Sequence, residues 1–150
     1  MSIGSTKNIL IIEDNDDDYL ATIRAFKKSN LANPINRCTN GDQALDYLFH
    51  RGEFSDPDKA PIPSIILLDL NLPGTDGRGV LKAIKADPVL KRIPVIVLTT
   101  SDAEQDIEKC YAAGANSYVK KPVDLEGFIK AIARLTEYWL DVSLLPKGIK

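Results

Sequence analysis

The chain has 150 residues, 44% apolar and 27% charged, with a net charge of −2. That length suits a single domain with a real core, and the balance is that of a globular protein. The weak negative charge excludes non-specific nucleic-acid binding, which needs a basic surface, and no apolar run is long enough to span a membrane, so no nucleic-acid or membrane partner is expected.

Asn8 to Glu13 is a short apolar strand ending in Glu13 and Asp14. Nothing before it resembles a signal peptide, and Cys38 and Cys110 form no CxxC, so reduced thiols and a cytoplasmic location are expected. Asn15 to Asp18 prefaces a helix with Tyr19, Leu20, Ile23 and Phe26 at helical spacing, broken at Asn33-Pro34. Asp16, Asp17 and Asp18 suit the positive end of that helix. Ile35 to Thr39 reads as a strand. Asn40 suits an N-cap, and Ala44, Leu45, Leu48 and Phe49 form the next helical stripe. His50, the single histidine, reads as a charge at that helix's C-terminus. Arg51 to Pro63 is rich in charge, Gly and Pro and reads as an exposed loop.

Ser64 to Gly74, SIILLDLNLPG, is an unbroken apolar run that ends in Asp69 and a Pro-Gly turn. Such a run reads as a central parallel strand buried on both faces. Arg78 to Ala86 is a helix bearing Val80, Leu81 and Ile84, stopped by Asp87-Pro88. Pro94 to Thr99 is another apolar strand. Ser101 and Glu104 form a capping box for a helix with Ile107, Cys110 and Tyr111, which Gly114 ends. Ser117 to Val119 is a short strand before Lys120, Lys121 and Pro122. Asp124 caps a last helix bearing Leu125, Phe128, Ile129, Ile132, Leu135 and Trp139, and residues 140–150 form a tail.

Regular alternation of strand and helix predicts an α/β fold: a doubly wound, five-stranded parallel sheet with helices on both faces, flavodoxin-like, in the order 2-1-3-4-5. Ligands in such sheets bind outside the carboxyl ends of the strands. This order brings Glu13, Asp14, Asp69, Thr99 and Lys121 to one cleft. Carboxylates brought together repel unless a cation sits among them, and oxygen donors of this kind suit Mg²⁺. With a lysine beside them, they would neutralise an incoming phosphoryl group, which Asp69 could attack as a nucleophile.

The segments IIEDN, SIILLDLNLPGTDG, PVIVLTTS and ANSYVKKP, in that order, resemble the receiver domain of two-component response regulators, of the chemotaxis-regulator type. The resemblance spans residues 7–139, within a single domain of residues 1–150. It implies that Asp69 is the phosphoacceptor. It implies Mg²⁺ held directly by Asp14, Asp69 and the Asn71 carbonyl, with Glu13 acting through water. It implies that Lys121 pairs with the phosphoryl group and that the Lys121–Pro122 bond is cis. Thr99 and Tyr118 match the switch pair, in which the hydroxyl moves to the phosphoryl group and the ring follows. From pattern alone Tyr118 fits an edge-strand aromatic equally well. The implied partner is a sensor histidine kinase, and the implied activity is only the chain's own phosphotransfer and autodephosphorylation. The Arg51–Pro63 loop, LTTSDAEQDI, KPVDLEGF and Tyr138-Trp139 further resemble small single-domain regulators paired with cyanobacterial and bacterial phytochromes, which would make the kinase a light sensor.

The pattern departs from the commonest receiver at Glu13, where Asp is frequent, and at Thr100, where a smaller residue is common. Ser101 lacks the carboxylate of fast-cycling chemotaxis regulators, so slower autodephosphorylation is expected. Trp139, Leu140, Val142, Leu144 and Leu145 carry apolar character into the tail; it either folds back or forms a homodimer interface, and a homodimer is expected. Three other readings compete. A phosphohydrolase of the haloacid-dehalogenase type would need an acid where Asn71 stands. A nucleotide or flavin binder would need a Gly-rich first turn where EDNDD stands. A degenerate receiver would serve only for docking. Output would be protein contact with a downstream target that the sequence does not name.

Overall fold

The computed structural model describes residues 8–28, 33–99 and 104–120, with helical positions 126, 127, 130, 131 and 134 beyond them. The elements are β1 (Ile9–Ile12), α1 (Asp16–Lys28), β2 (Ile35–Cys38), α2 (Gly41–Leu48), β3 (Ile65–Asp69), α3 (Gly77–Ala86), β4 (Val95–Thr99), α4 (Glu104–Ala112) and β5 (Ser117–Lys120). The strands form one sheet in the order β2-β1-β3-β4-β5, as expected, and every neighbouring pair is parallel.

The unbroken apolar runs of β1, β3 and β4 are explained by two covered faces. Side chains alternate across a strand. Leu10, Ile12, Ile66, Leu68, Val95 and Val97 face a core completed by Ala44, Tyr47 and Leu48 of α2, Val80, Leu81 and Ile84 of α3, and Cys110 of α4. Ile9, Ile11, Ile65, Leu67, Ile96 and Leu98 face the other way, against Ala21, Ala25 and Phe26 of α1. All of β1, β3 and β4 is buried.

Local signals set the helix starts. The Asn40 side chain accepts from the Gln43 N–H at 2.7 Å, the cap expected at α2. Asn15 does the same for Asp18 at α1, at 2.9 Å, and Asp76 for Arg78 at α3, at 2.7 Å. Asp16, Asp17 and Asp18 occupy the first turn of α1, where acids complement the helix dipole.

Four readings from sequence need correction. Leu20 is exposed, because α1 buries the row Ala21, Thr22, Ala25 and Phe26 instead; Tyr19 and Ile23 only flank the core. Tyr111 is also exposed, and its hydroxyl accepts the Tyr118 N–H at 3.2 Å. The Arg51–Pro63 segment is not wholly exposed. It contains a 3-10 turn (Gly52–Phe54), inserts Ala60 into the core and packs Phe54 and Ile62 against it. His50 is not simply a helix-end charge: its Nε2 donates to the Ala60 carbonyl at 2.8 Å, and the Tyr47 hydroxyl donates to the Pro61 carbonyl at 2.9 Å, so both side chains fasten that segment. Cys38 and Cys110 are free thiols, and both are buried. Among the described residues no helix is long and apolar enough to cross a membrane.

Candidate functional site

Register brings the acids together. Ile12 pairs with Leu68 across β1 and β3, so Glu13 and Asp69, each one residue further on, lie level at the carboxyl end of the sheet. The Glu13 N–H extends the ladder to the Cys38 carbonyl at 2.9 Å. Carboxylate oxygens of Glu13, Asp14 and Asp69 all lie within 4.8 Å of one another. Glu13 and Asp69 are buried and Asp14 is exposed, so the cluster opens to solvent on one side. Three acids so close, two of them out of water, form a hard-oxygen donor set that fits a divalent cation.

The turns beyond the strands fix these side chains. The Asn15 N–H donates to Glu13 Oε2 at 3.3 Å, and the Asn71 N–H donates to Asp69 Oδ1 at 3.2 Å. Asp69 pairs with Leu98 of β4, which sets Thr99, itself buried, at the rim of the same strand ends. Tyr118 is half-buried one strand further, paired with Val97. Lys121 and its bond to Pro122, Thr100, Ser101, the Asp124 cap, the stripe members Leu125, Phe128, Ile129, Ile132, Leu135 and Trp139, and the 140–150 tail lie outside the described residues.

Three contributors to the site escaped the sequence reading. Gly77, the first residue of α3, donates its N–H to the Leu70 carbonyl at 3.0 Å and runs directly under the end of β3. Gly41 lets α2 seat against the Thr75 backbone, and its N–H donates to the Pro73 carbonyl at 3.3 Å, which ties α2 to the turn after Asp69. Arg37 reaches from β2 to the Glu13 carbonyl at 3.1 Å. Of these only Arg37 left a trace in the sequence, as a lone cation inside a short strand.

Residues 9–133 match the family described as the response regulator receiver domain. The chain belongs to this family. The receiver is 39% identical over 140 residues to response regulator Rcp1 of Synechocystis sp. (strain PCC 6803), covering 93% of each chain. Its fold is similar to that of the phosphorylated cyanobacterial phytochrome response regulator RcpA, with a TM-score of 0.88, 40% identity and coverage of 94% of this chain and 99% of the other. It is similar also to the Mn²⁺-bound form of Rcp1, with a TM-score of 0.87, 38% identity and coverage of 93% and 99%. The chain is a two-component response regulator with the flavodoxin-like receiver fold.

Proposed function

We propose that this receiver works as a phosphorylation switch with Asp69 as the acceptor. The observation that carries the proposal is the convergence of Glu13, Asp14 and Asp69 at the end of the sheet. Asp14, Asp69 and the Asn71 carbonyl would hold Mg²⁺ directly, with Glu13 acting through water. The bound ion would supply positive charge to the phosphoryl oxygens. A carboxylate oxygen of Asp69 attacks phosphorus, the P–N bond of a phosphohistidine breaks, and the departing imidazole takes up a proton. Lys121 pairs with the transferred group and Thr99 donates its hydroxyl to it. Tyr118 follows Thr99 inward, which shifts a two-state equilibrium on the face that carries α4 and β5. The chain acts on no separate substrate; it transfers the phosphoryl group to itself and later hydrolyses it.

The partner we infer is a sensor histidine kinase. Likeness to RcpA, a phytochrome response regulator by name, supports a phytochrome as that kinase. Output is phosphorylation-dependent contact with a downstream protein, in the cytoplasm and as a homodimer. Sedimentation at several concentrations, for the full chain and a truncation after Trp139, tests the dimer. Association in the full chain and its loss in the truncation support it; two monomers refute it.

Intact mass after incubation with a small acyl-phosphate donor tests the switch. Wild type gains one phosphoryl group only when Mg²⁺ is present, and Asp69→Asn gains none. A folded, Mg²⁺-binding wild type that gains nothing would leave a docking module in its place.

A further inference from the structure

Glu13 and Asp14 sit on a turn, and turns hold charged groups precisely only when something outside them fixes the backbone. Here the outside group is Arg37. It lies in the middle of β2, in register with Ile11 of β1, and its side chain is 19% exposed. It makes three contacts in three directions. Nε donates to the Glu13 carbonyl at 3.1 Å. Nη2 lies 2.8 Å from Asp16 Oδ1, in the first turn of α1. The guanidinium carbon stands 4.3 Å from the centre of the Tyr19 ring. One side chain thus clamps Glu13, the last residue of the strand extension, and the first turns of the helix, with Asp14 between them.

We propose that Arg37 is a positioning residue for the divalent-cation site, holding the Glu13–Asp14 turn in the conformation that presents both carboxylates to Asp69. This rests on the reading above that those three acids bind the cation. The residue type matters. An arginine donates from Nε while its charged end lies against Asp16 and its face stacks on an aromatic ring, whereas a lysine offers a single point charge. Groups that orient ligands without touching the metal commonly change metal affinity by about 10- to 100-fold.

Orientation and charge predict opposite signs. A cation next to a metal site weakens metal binding by repulsion, and removing it would also release the negative charge of Asp16. If charge ruled, Arg37→Ala would bind metal more tightly. The Asp16 carboxylate that removal of Arg37 would uncover is 82% exposed, so water screens its charge and lost positioning dominates.

The experiment is calorimetric titration of Mn²⁺ into wild type, Arg37→Ala, Arg37→Lys, Asp69→Asn and Ile84→Val, with the metal-free melting temperature of each. Ile84→Val trims a buried α3 residue of the opposite core and controls for loss of stability alone. Arg37→Ala is expected to weaken Mn²⁺ binding by about tenfold or more. Arg37→Lys, which keeps the charge without the guanidinium, should fall between it and wild type and carries the test if Arg37→Ala does not fold. Ile84→Val should bind as wild type does. Unchanged or tighter binding by Arg37→Ala, or an equal loss in Ile84→Val, overturns the proposal. A wild type that binds no Mn²⁺, or Asp69→Asn binding as tightly as wild type, instead overturns the site reading itself and the proposal with it.

Discussion

A methyl group added at Gly77 would lie 2.4 Å from the Asp69 carbonyl oxygen and 2.7 Å from the Leu70 Cα, both backbone atoms that have nowhere to move. Gly77→Ala therefore pushes α3 away from the end of β3. The expected cost is about 1–3 kcal/mol, the usual range for overpacking, together with slower phosphorylation of Asp69. Urea denaturation and a time course of intact mass check the two effects. Normal stability with normal phosphorylation would show that the helix start adjusts without moving Asp69. Asp69 itself is legible in the sequence, because an acid ending an apolar run has no packing purpose. Gly77 is not, because its importance is a distance to a backbone that only the folded chain brings near. Arg37 is intermediate. Its presence in a strand is visible, but its reach to Glu13, Asp16 and Tyr19 depends on β2 lying beside β1.

At the scale of elements, β2 and α2 share a buried polar seam. Burial pushes the Cys38 thiol from 9.0 up to about 12, with the Glu53 carboxylate adding to the effect. Burial also pushes the Tyr47 hydroxyl from 10.0 up to about 12, with Cys38 adding to it. Both groups hold their protons longer folded than unfolded. The unfolded chain thus binds fewer protons once the pH passes 9.0, and stability falls as the pH climbs from there through about 12. Cys38→Ala should make that alkaline decline shallower, read from urea midpoints at increasing pH; an unchanged slope would remove Cys38 as a cause. The helix boundaries were readable because caps are local: Asn40 bonds a residue three positions away. Which side of a helix is buried was less so. Leu20 and Tyr111 fit an apolar stripe by spacing yet face solvent, since the sheet accepts only the row that its own side chains leave room for. The Arg51–Pro63 segment misled for a related reason. Its polar composition hides Ala60, Phe54 and Ile62, which dock on the core through long-range contacts.

For the molecule as a whole, the acidic cluster sets a balance between folding and metal. Without a cation, Glu13, Asp14 and Asp69 repel across less than 4.8 Å, and that cost is part of the folded state. A cation that binds only the folded chain adds stability by mass action, about 2.7 kcal/mol at a hundredfold excess over its dissociation constant. The melting temperature of wild type should accordingly rise with Mg²⁺ and return on chelation. Asp14→Asn should melt higher than wild type without metal and gain much less from Mg²⁺. Calorimetric scans with and without chelator decide this, and equal Mg²⁺ gains in both proteins would remove Asp14 from the site.

The sequence by itself determined the order of strands and helices, the doubly wound sheet and the acids at its strand ends. These follow from signals carried within short stretches: apolar runs buried on both faces, helical spacing, caps and turn residues. Tertiary structure alone decided the level register of Glu13 with Asp69, the seating of Gly77 and Gly41 on neighbouring backbone, and the clamp of Arg37 on the Glu13 turn. Each of these is a distance between separate elements, most of them remote in the chain. Periodicity within a segment states which face is apolar, but not which atoms of another segment come within hydrogen-bonding reach.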